Sequence, residues 1–363
     1  MRRSGHEPRR RSHRHPHPTT RPRDRFRAAR PSKWRHLRAI LTRSFDEQTA
    51  VDALNLEVRP GEIYGFLGPN GAGKTTTVRM LCTLLAPTSG TATVAGIDIV
   101  EDPGAVRLRI GVALQEAALD PKQTGAELLT LQAKLFGFSS ADAHRRRLEL
   151  AEVVDLGDAL NRPVSTYSGG MKRRLDLAVA LVNNPEVLFL DEPTTGLDPA
   201  SRQLVWEEVA RLNRELGTTI LLTTQYLEEA DTLADRVGII DHGRLAVEGT
   251  PAELKRRVGN DVIVATIDSD PTGARSALEG LRGVEAVELH DREVVVTARD
   301  GAAVIGPVAV ALADHDVTLA NLSLRTPTLD DVFLDVTGTR LRTDDHHSTT
   351  EPDTHDTTTE VLR

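Results

Sequence analysis

An α/β fold built around a phosphate-binding loop, followed by a small α+β domain, is predicted by three stretches of this sequence. Residues 68 to 75 read Gly-Pro-Asn-Gly-Ala-Gly-Lys-Thr and fit the pattern G-x-x-x-x-G-K-[ST] at every fixed position. Val187-Leu188-Phe189-Leu190-Asp191-Glu192 is an apolar run closed by two carboxylates, the form of a buried parallel strand that delivers acids to its end. Beyond Pro251-Ala252-Glu253-Leu254 the periodicity reads βαββαβ: strand 261–268, helix 272–281, strands 284–289 and 293–298, helix 302–314, strand 317–324. That order is compatible with a ferredoxin-like domain.

Taken in order, Glu62-Ile63-Tyr64-Gly65-Phe66-Leu67 reads as a short buried strand and Thr75 to Ala86 as a helix. Val78, Leu81, Cys82 and Leu85 recur at i, i+3, i+4, i+7 on one face of that helix. A loop between such a strand and helix presents backbone N–H groups and the positive helix end to an anion. The cradle comprises Gly68, Pro69, Asn70, Gly71, Ala72, Gly73, Lys74, Thr75 and Thr76. Gly68, Gly71 and Gly73 permit close approach, Lys74 is placed to reach the β and γ phosphates, and the Thr75 hydroxyl is placed to hold Mg2+. A nucleoside triphosphate is the expected ligand.

Residues 120–165 read as helices, with Leu128, Leu131 and Leu135 on one face and Leu148, Leu150, Val153 and Val154 following. Tyr167-Ser168-Gly169-Gly170-Met171-Lys172-Arg173-Arg174 opens another helix, capped by Ser168, with Met171, Leu175, Ala178 and Val182 as its buried stripe. Gly169 and Gly170 leave its first N–H groups exposed, which makes a second anion site. One nucleotide does not need two helix-terminus cradles from one chain. This second cradle is therefore expected to face the γ phosphate of a nucleotide held by another copy. Asp191 is the expected Mg2+ ligand. Glu192, beside the γ phosphate, is the expected general base that orients a water and accepts its proton.

With these residues in order, the chain resembles the nucleotide-binding subunit of an ATP-binding cassette (ABC) transporter. Gly68 to Thr75 matches the Walker A loop, Ser168-Gly169-Gly170-Met171 the family signature with Met where Gln is commoner, and Val187 to Glu192 the Walker B strand. Gly196-Leu197-Asp198-Pro199 resembles the D-loop at the dimer seam, so Asp198 joins the nucleotide-binding set. Gln115, after Ile110-Gly111-Val112-Ala113-Leu114, resembles the Q-loop glutamine that touches Mg2+ and relays to the membrane partner. Phe45, in Leu41-Thr42-Arg43-Ser44-Phe45, stands where the family places an aromatic that stacks on adenine. The resemblance covers residues 37–255 and continues, less specifically, to 338. It implies a P-loop NTPase cassette with adenine-side antiparallel strands over 37–60 and a helical subdomain over 120–165 that carries the signature. It also implies ATP and Mg2+, a homodimer closing head to tail on two ATP molecules, and a separate integral membrane permease.

One position departs from the general pattern. After Thr219-Ile220-Leu221-Leu222-Thr223-Thr224, most cassettes carry a histidine that contacts the γ phosphate, and this chain has Gln225. An amide donates a hydrogen bond but does not become cationic near neutral pH, so positioning survives and a proton-linked role does not. Thr224-Gln225-Tyr226-Leu227-Glu228-Glu229-Ala230-Asp231 and the signature helix resemble the daunorubicin-resistance type of drug-exporter ATPase. Thr326-Pro327-Thr328-Leu329-Asp330-Asp331-Val332-Phe333-Leu334 resembles the terminal segment of that group, which implies a regulatory or dimer-supporting role.

Composition bounds the remainder. No run approaches the roughly 18 apolar residues of a spanning helix, so the chain is not expected to cross a membrane itself. The single Cys82 allows no internal disulfide and suits a reducing cytosol. Of the 12 histidines, His144, His242, His290 and His315 fall in the folded region without partner spacing, so no zinc site is expected. Residues 1–36 hold 13 Lys or Arg against Glu7 and Asp24, a balance of +11, so the remainder carries −19 of the chain's net −8. This basic segment and the Thr, Asp and His-rich tail are expected to be disordered. The organisation read from the sequence is a basic extension (1–36), an ABC domain (37–255), a C-terminal accessory domain (256–338) and a tail (339–363).

The function expected is ATP hydrolysis driving export of a hydrophobic drug or antibiotic through the permease, at the cytoplasmic face of the membrane, with no nucleic-acid partner. ABC-2 type export of a lipid, polysaccharide or ion stays open at this point. A soluble cassette that remodels ribosomes or DNA is the rival from another class. Translation-type cassettes usually come in pairs and DNA-repair types carry a long coiled coil, and neither feature is present in this sequence.

Overall fold

The computed structural model describes residues 37–114, 119–268, 272–290, 292–315 and 317–338. The extension over 1–36, the tail over 339–363 and Gln115 lie outside the described residues. Chain order begins with β1 (Leu37–Phe45), β2 (Gln48–Val58), β3 (Ile63–Leu67), α1 (Lys74–Leu81), β4 (Ser89–Val94), β5 (Ile97–Asp98), α2 (Pro103–Arg107) and β6 (Ile110–Ala113). Next come α3 (Gly125–Leu135), α4 (Ser140–Val154), α5 (Gly169–Ala180), β7 (Val187–Asp191), α6 (Pro199–Leu216), β8 (Thr219–Thr224), α7 (Leu227–Leu233), β9 (Arg236–Asp241), β10 (Arg244–Gly249) and α8 (Pro251–Val258). The last part is β11 (Asp261–Ile267), α9 (Thr272–Leu278), β12 (Val284–His290), β13 (Glu293–Ala298), α10 (Gly301–Asp314), β14 (Leu319–Arg325) and α11 (Leu329–Thr337).

The central sheet runs β10-β9-β3-β8-β7-β6, parallel from β9 to β6 with β10 antiparallel at one edge. Strands β3, β7 and β8 are buried along their whole length, as expected of strands covered on both faces. One face packs on α1 and an antiparallel sheet of order β2-β1-β4-β5, through Leu41, Val51, Phe66, Met80 and Phe189. The opposite face packs on α5, α6 and the helical segment, through Leu129, Leu150, Leu175, Leu188 and Val209. Neighbouring β3, β8 and β7 align Leu67 with Thr224 and Thr223 with Asp191. That register brings three loops to one carboxyl edge, where open α/β sheets bind ligands.

Several helical expectations change. The helix after the phosphate loop ends at Leu81 rather than Ala86, because Thr83 takes a φ of 60° and the N–H groups of Leu84 and Leu85 turn back to the Arg79 carbonyl. In α3 the buried residues are Gly125, Leu129 and Ala133, whereas Leu131 is 46% and Leu135 72% exposed. Both spacings satisfy a helical repeat, and packing against α4 and α5 selects the Leu129 face. In α4, Leu150 and Val154 are buried and Leu148 is exposed. The stripe on α5 holds for Leu175, Ala178 and Val182, the last just beyond the helix end, with Met171 half-buried against the same core.

The βαββαβ order after α8 agrees with the sequence reading, and its antiparallel sheet runs β12-β13-β11-β14. Helix α11 then leaves this unit and packs back on the cassette. Leu329, Val332 and Phe333 share a cluster with Leu67, Leu227, Ala230 and Leu254. Full burial of such side chains contributes about 1.5–3 kcal/mol each. No helix among the described residues is long and apolar enough to cross a membrane.

Candidate functional site: a phosphate cradle at the carboxyl edge of the central sheet

The loop between β3 and α1 is shaped by close backbone approach. A Cβ at Gly68 would lie 2.5 Å from the Ile240 carbonyl oxygen, and one at Gly73, where φ is +107°, would lie 2.4 Å from the Ala50 carbonyl oxygen. Both glycines are therefore required by neighbouring protein backbone, not by a ligand alone. Gly71, with φ +84°, faces open space. Pro69 and Ala72 close a turn through a 3.2 Å hydrogen bond, Asn70 is exposed, and Thr76 is half-buried in the first turn of α1. The Ala72 carbonyl accepts from the Gly243 N–H at 3.0 Å, which ties the loop to the β9–β10 turn.

Lys74 is 5% exposed. Its Nζ donates to the carbonyls of Gly68 at 2.7 Å and Pro69 at 3.2 Å, and lies 3.8 Å from Glu192 Oε1. Burial lowers its pKa, against the pull of Glu192 and Asp191. The ammonium thus spans the loop and the acidic strand end.

At that strand end, Thr75 Oγ1 stands 3.4 Å from Asp191 Oδ1, and the Thr223 hydroxyl donates to the same oxygen. Asp191 Oδ2 is buried and has no hydrogen-bond partner among the described residues. A carboxylate oxygen left without a donor beside a threonine hydroxyl is a donor set for a hard divalent cation. Glu192 follows, 8% exposed, with φ +49°. A non-glycine residue in that region costs about 1–3 kcal/mol and persists only where its surroundings impose it. They do so here: its N–H bonds both the carbonyl and the hydroxyl of Thr223 at 3.0 Å, and Thr195 Oγ1 donates to its Oε2 at 3.3 Å.

Gln225 sits half-exposed at the turn from β8 into α7, next to the register that holds Thr223. Behind it, fully buried Glu229 accepts from Thr194 Oγ1 at 3.0 Å and Trp206 Nε1 at 2.9 Å, and burial raises its pKa. Thr223, Glu229 and Arg173 were not singled out by sequence reasoning. A threonine inside the apolar run of β8 is a usable signal for a polar task. For Glu228-Glu229 the sequence does not say which acid is buried.

The second predicted cradle is separate. Ser168 caps α5, its Oγ accepting from the Met171 N–H at 3.3 Å, and Ser168 and Gly169 are exposed. Gly170 packs near Ser201, and Gly169 near Leu197. Asp198 caps α6, accepting from the Ser201 N–H at 2.9 Å and hydroxyl at 2.6 Å, bonds that lower its pKa. Signature and D-loop therefore form one exposed surface. Phe45 is 44% exposed at the end of β1, with the Arg43 guanidinium 4.4 Å from its ring centre. It is a surface aromatic and not a core residue.

The ABC transporter family model matches residues 51–195, and the model of the DrrA1-3-like ATP-binding protein C-terminal domain matches 249–337. A daunorubicin resistance ATP-binding protein, DrrA3, of Streptomyces coeruleorubidus is 48% identical over 295 residues, covering 81% of this chain and 93% of the relative. A doxorubicin resistance ATP-binding protein, DrrA, of Mycobacterium tuberculosis is 44% identical, covering 79% and 88%. A solved dimeric ATP-binding cassette in a post-hydrolysis state, bound to ADP and phosphate, matches with a TM-score of 0.54 at 26% identity, over 59% of this chain and 98% of that one. A lysine-bearing phosphate loop, an acidic strand end beside it and relatives matched through both domains lead to one conclusion: this chain belongs to the ABC transporter family, as an ATP-hydrolysing nucleotide-binding subunit.

Proposed function

We propose that this subunit couples ATP binding and hydrolysis to export of a hydrophobic drug or antibiotic through a separate integral membrane permease, at the cytoplasmic face of the membrane. The observation that carries the reading is identity of 48% over 93% of a daunorubicin-resistance relative. In this reading residues 37–255 are the ATPase cassette and 256–338 a ferredoxin-like accessory domain, with α11 anchored on the cassette.

In each cycle the loop over residues 68–76 holds the phosphates through the N–H groups of its residues other than Pro69, Phe45 stacks on adenine, and Lys74 exchanges its loop carbonyls for the β and γ phosphates. Thr75 and Asp191 would hold Mg2+, with Gln115 as the further ligand that the family resemblance implies, and the ion would supply neutralisation of phosphate charge. Glu192 orients a water and takes its proton as the water oxygen bonds to the γ phosphorus. The bond from that phosphorus to the β–γ bridging oxygen then breaks, leaving ADP and phosphate. Ser168, Gly169 and Gly170 of a second copy face the same γ phosphate, and Asp198 lines the seam. Gln225 donates to the γ phosphate through its amide.

The direct test is inverted membrane vesicles containing the chain together with a candidate permease, an integral membrane protein from an adjacent reading frame. ATP-dependent uptake of daunorubicin, abolished by Glu192→Gln, is the expected result. Absence of uptake, with an ATPase rate indifferent to the membrane protein, would refute drug export while leaving ATP hydrolysis standing.

Two further outcomes test the dimer and the role of Gln225. Ser168→Arg leaves nucleotide binding to the monomer nearly intact but places bulk and charge in the seam. Size-exclusion chromatography on the Glu192→Gln background with ATP should therefore show monomer only, and a persisting dimer contradicts the head-to-tail arrangement. Gln225→Ala removes one hydrogen bond to a charged group, on the order of 1.5–3 kcal/mol of transition-state stabilisation. Gln225→His keeps activity and adds a pH dependence near ~6.5. ATPase rate against pH for the three forms decides this: equal rates for Gln225→Ala and the parent at every pH would remove Gln225 from the chemistry.

A further inference from the structure

Arg173 lies in the second turn of α5 with its side chain turned inward. Its Nε donates to the Pro193 carbonyl at 2.6 Å, Nη1 to the Leu114 carbonyl at 2.8 Å and to Asp176 Oδ2 at 3.1 Å, and Nη2 to the Asp191 carbonyl at 3.2 Å. Asp191 and Pro193 are the chain neighbours of Glu192 on either side, and Leu114 is the residue before Gln115. The planar fork of a guanidinium matches such a spread of acceptors, which the point charge of a lysine does not.

Stability alone does not account for this arrangement. Both members of the Arg173–Asp176 pair are desolvated: burial lowers the Arg173 pKa and raises that of Asp176 to about 6. An apolar pair of similar volume is often at least as stable as a buried ion pair. What the guanidinium provides is three fixed carbonyls, two of them flanking a residue whose φ of +49° is unfavourable for a side chain such as glutamate. The same helix is capped by Ser168, so a shift of α5 moves the clamp as well.

We propose that Arg173 is a positioning residue for hydrolysis: by clamping the carbonyls of Asp191 and Pro193 it sets Glu192 toward the γ phosphate, and it ties that placement to the signature helix and to the strand end before Gln115. This rests on Glu192 acting as the general base. Arg173 touches neither nucleotide nor metal in this scheme and acts through Glu192.

The test uses the basal ATPase of the full chain and four proteins besides the parent: Arg173→Lys, Glu192→Gln, their combination, and Arg173→Met with Asp176→Leu, which removes both buried charges together and so protects folding. Arg173→Lys should lower kcat about tenfold, and the Arg173→Met, Asp176→Leu protein about 10²-fold, each with KM for ATP within about threefold of the parent. In the Glu192→Gln background Arg173→Lys should cause no further loss, because residues acting as one unit are not additive. Parental kcat in either Arg173 variant overturns the proposal. So does a tenfold loss that persists undiminished in the Glu192→Gln background, which is the mark of a merely structural role. Parental turnover in Glu192→Gln alone is a different failure: it removes the reading of the base, and this proposal with it.

Discussion

Glu192→Gln should lower ATP turnover by at least about 10²-fold, a typical contribution of a general base, while ATP stays bound and the dimer accumulates. The substitution is close to isosteric. The amide still accepts the Thr195 hydroxyl, and the backbone of residue 192 keeps both bonds to Thr223. What disappears is the capacity to take a proton from water, together with one negative charge beside the bound phosphates. Affinity for ATP should therefore hold or rise as turnover falls. Single-turnover phosphate release, with size-exclusion chromatography in ATP, separates these effects. Near-normal turnover would sink the assignment of Glu192.

Lys74→Ala acts one step earlier and should abolish nucleotide affinity itself. Two charge-assisted bonds to the β and γ phosphates, at about 1.5–3 kcal/mol each, correspond to a loss of at least about 10²-fold in ATP affinity. The free protein also changes, since Lys74 Nζ holds the carbonyls of Gly68 and Pro69 inward and lies beside Glu192. Without it those carbonyls are free to turn toward the phosphates and repel them. Titration with a fluorescent ATP analogue is the measurement, and unchanged binding would remove the phosphate-cradle argument.

Much of this site is legible along the chain because its chemistry is local. A phosphate cradle is one continuous loop, so Gly68 to Thr75 suffices to announce it. The strand end at Asp191-Glu192 and the cap at Ser168 are likewise short segments whose composition states their task. Burial on helices was less legible. The stripe Leu128, Leu131, Leu135 obeys helical spacing as well as the observed Leu129 and Ala133 do, and only α4 and α5, distant in sequence, choose between them.

The sequence by itself determined the ligand class, the order of the motifs and the βαββαβ succession of the C-terminal part, while the departure at Gln225 shows only against the family that the chain resembles. These are properties of contiguous residue types and of periodicity. Only the tertiary structure decided which polar groups meet across the chain. The bond of Thr223 to Asp191 follows from the register of β7 against β8, the burial of Glu229 from α7 packing under Trp206, and the return of α11 to the cassette from the cluster around Phe333. The clamp of Arg173 on Leu114, Asp191 and Pro193 joins segments far apart in sequence. Backbone carbonyls carry no residue identity, so no pattern of side chains could have announced which of them that guanidinium would hold.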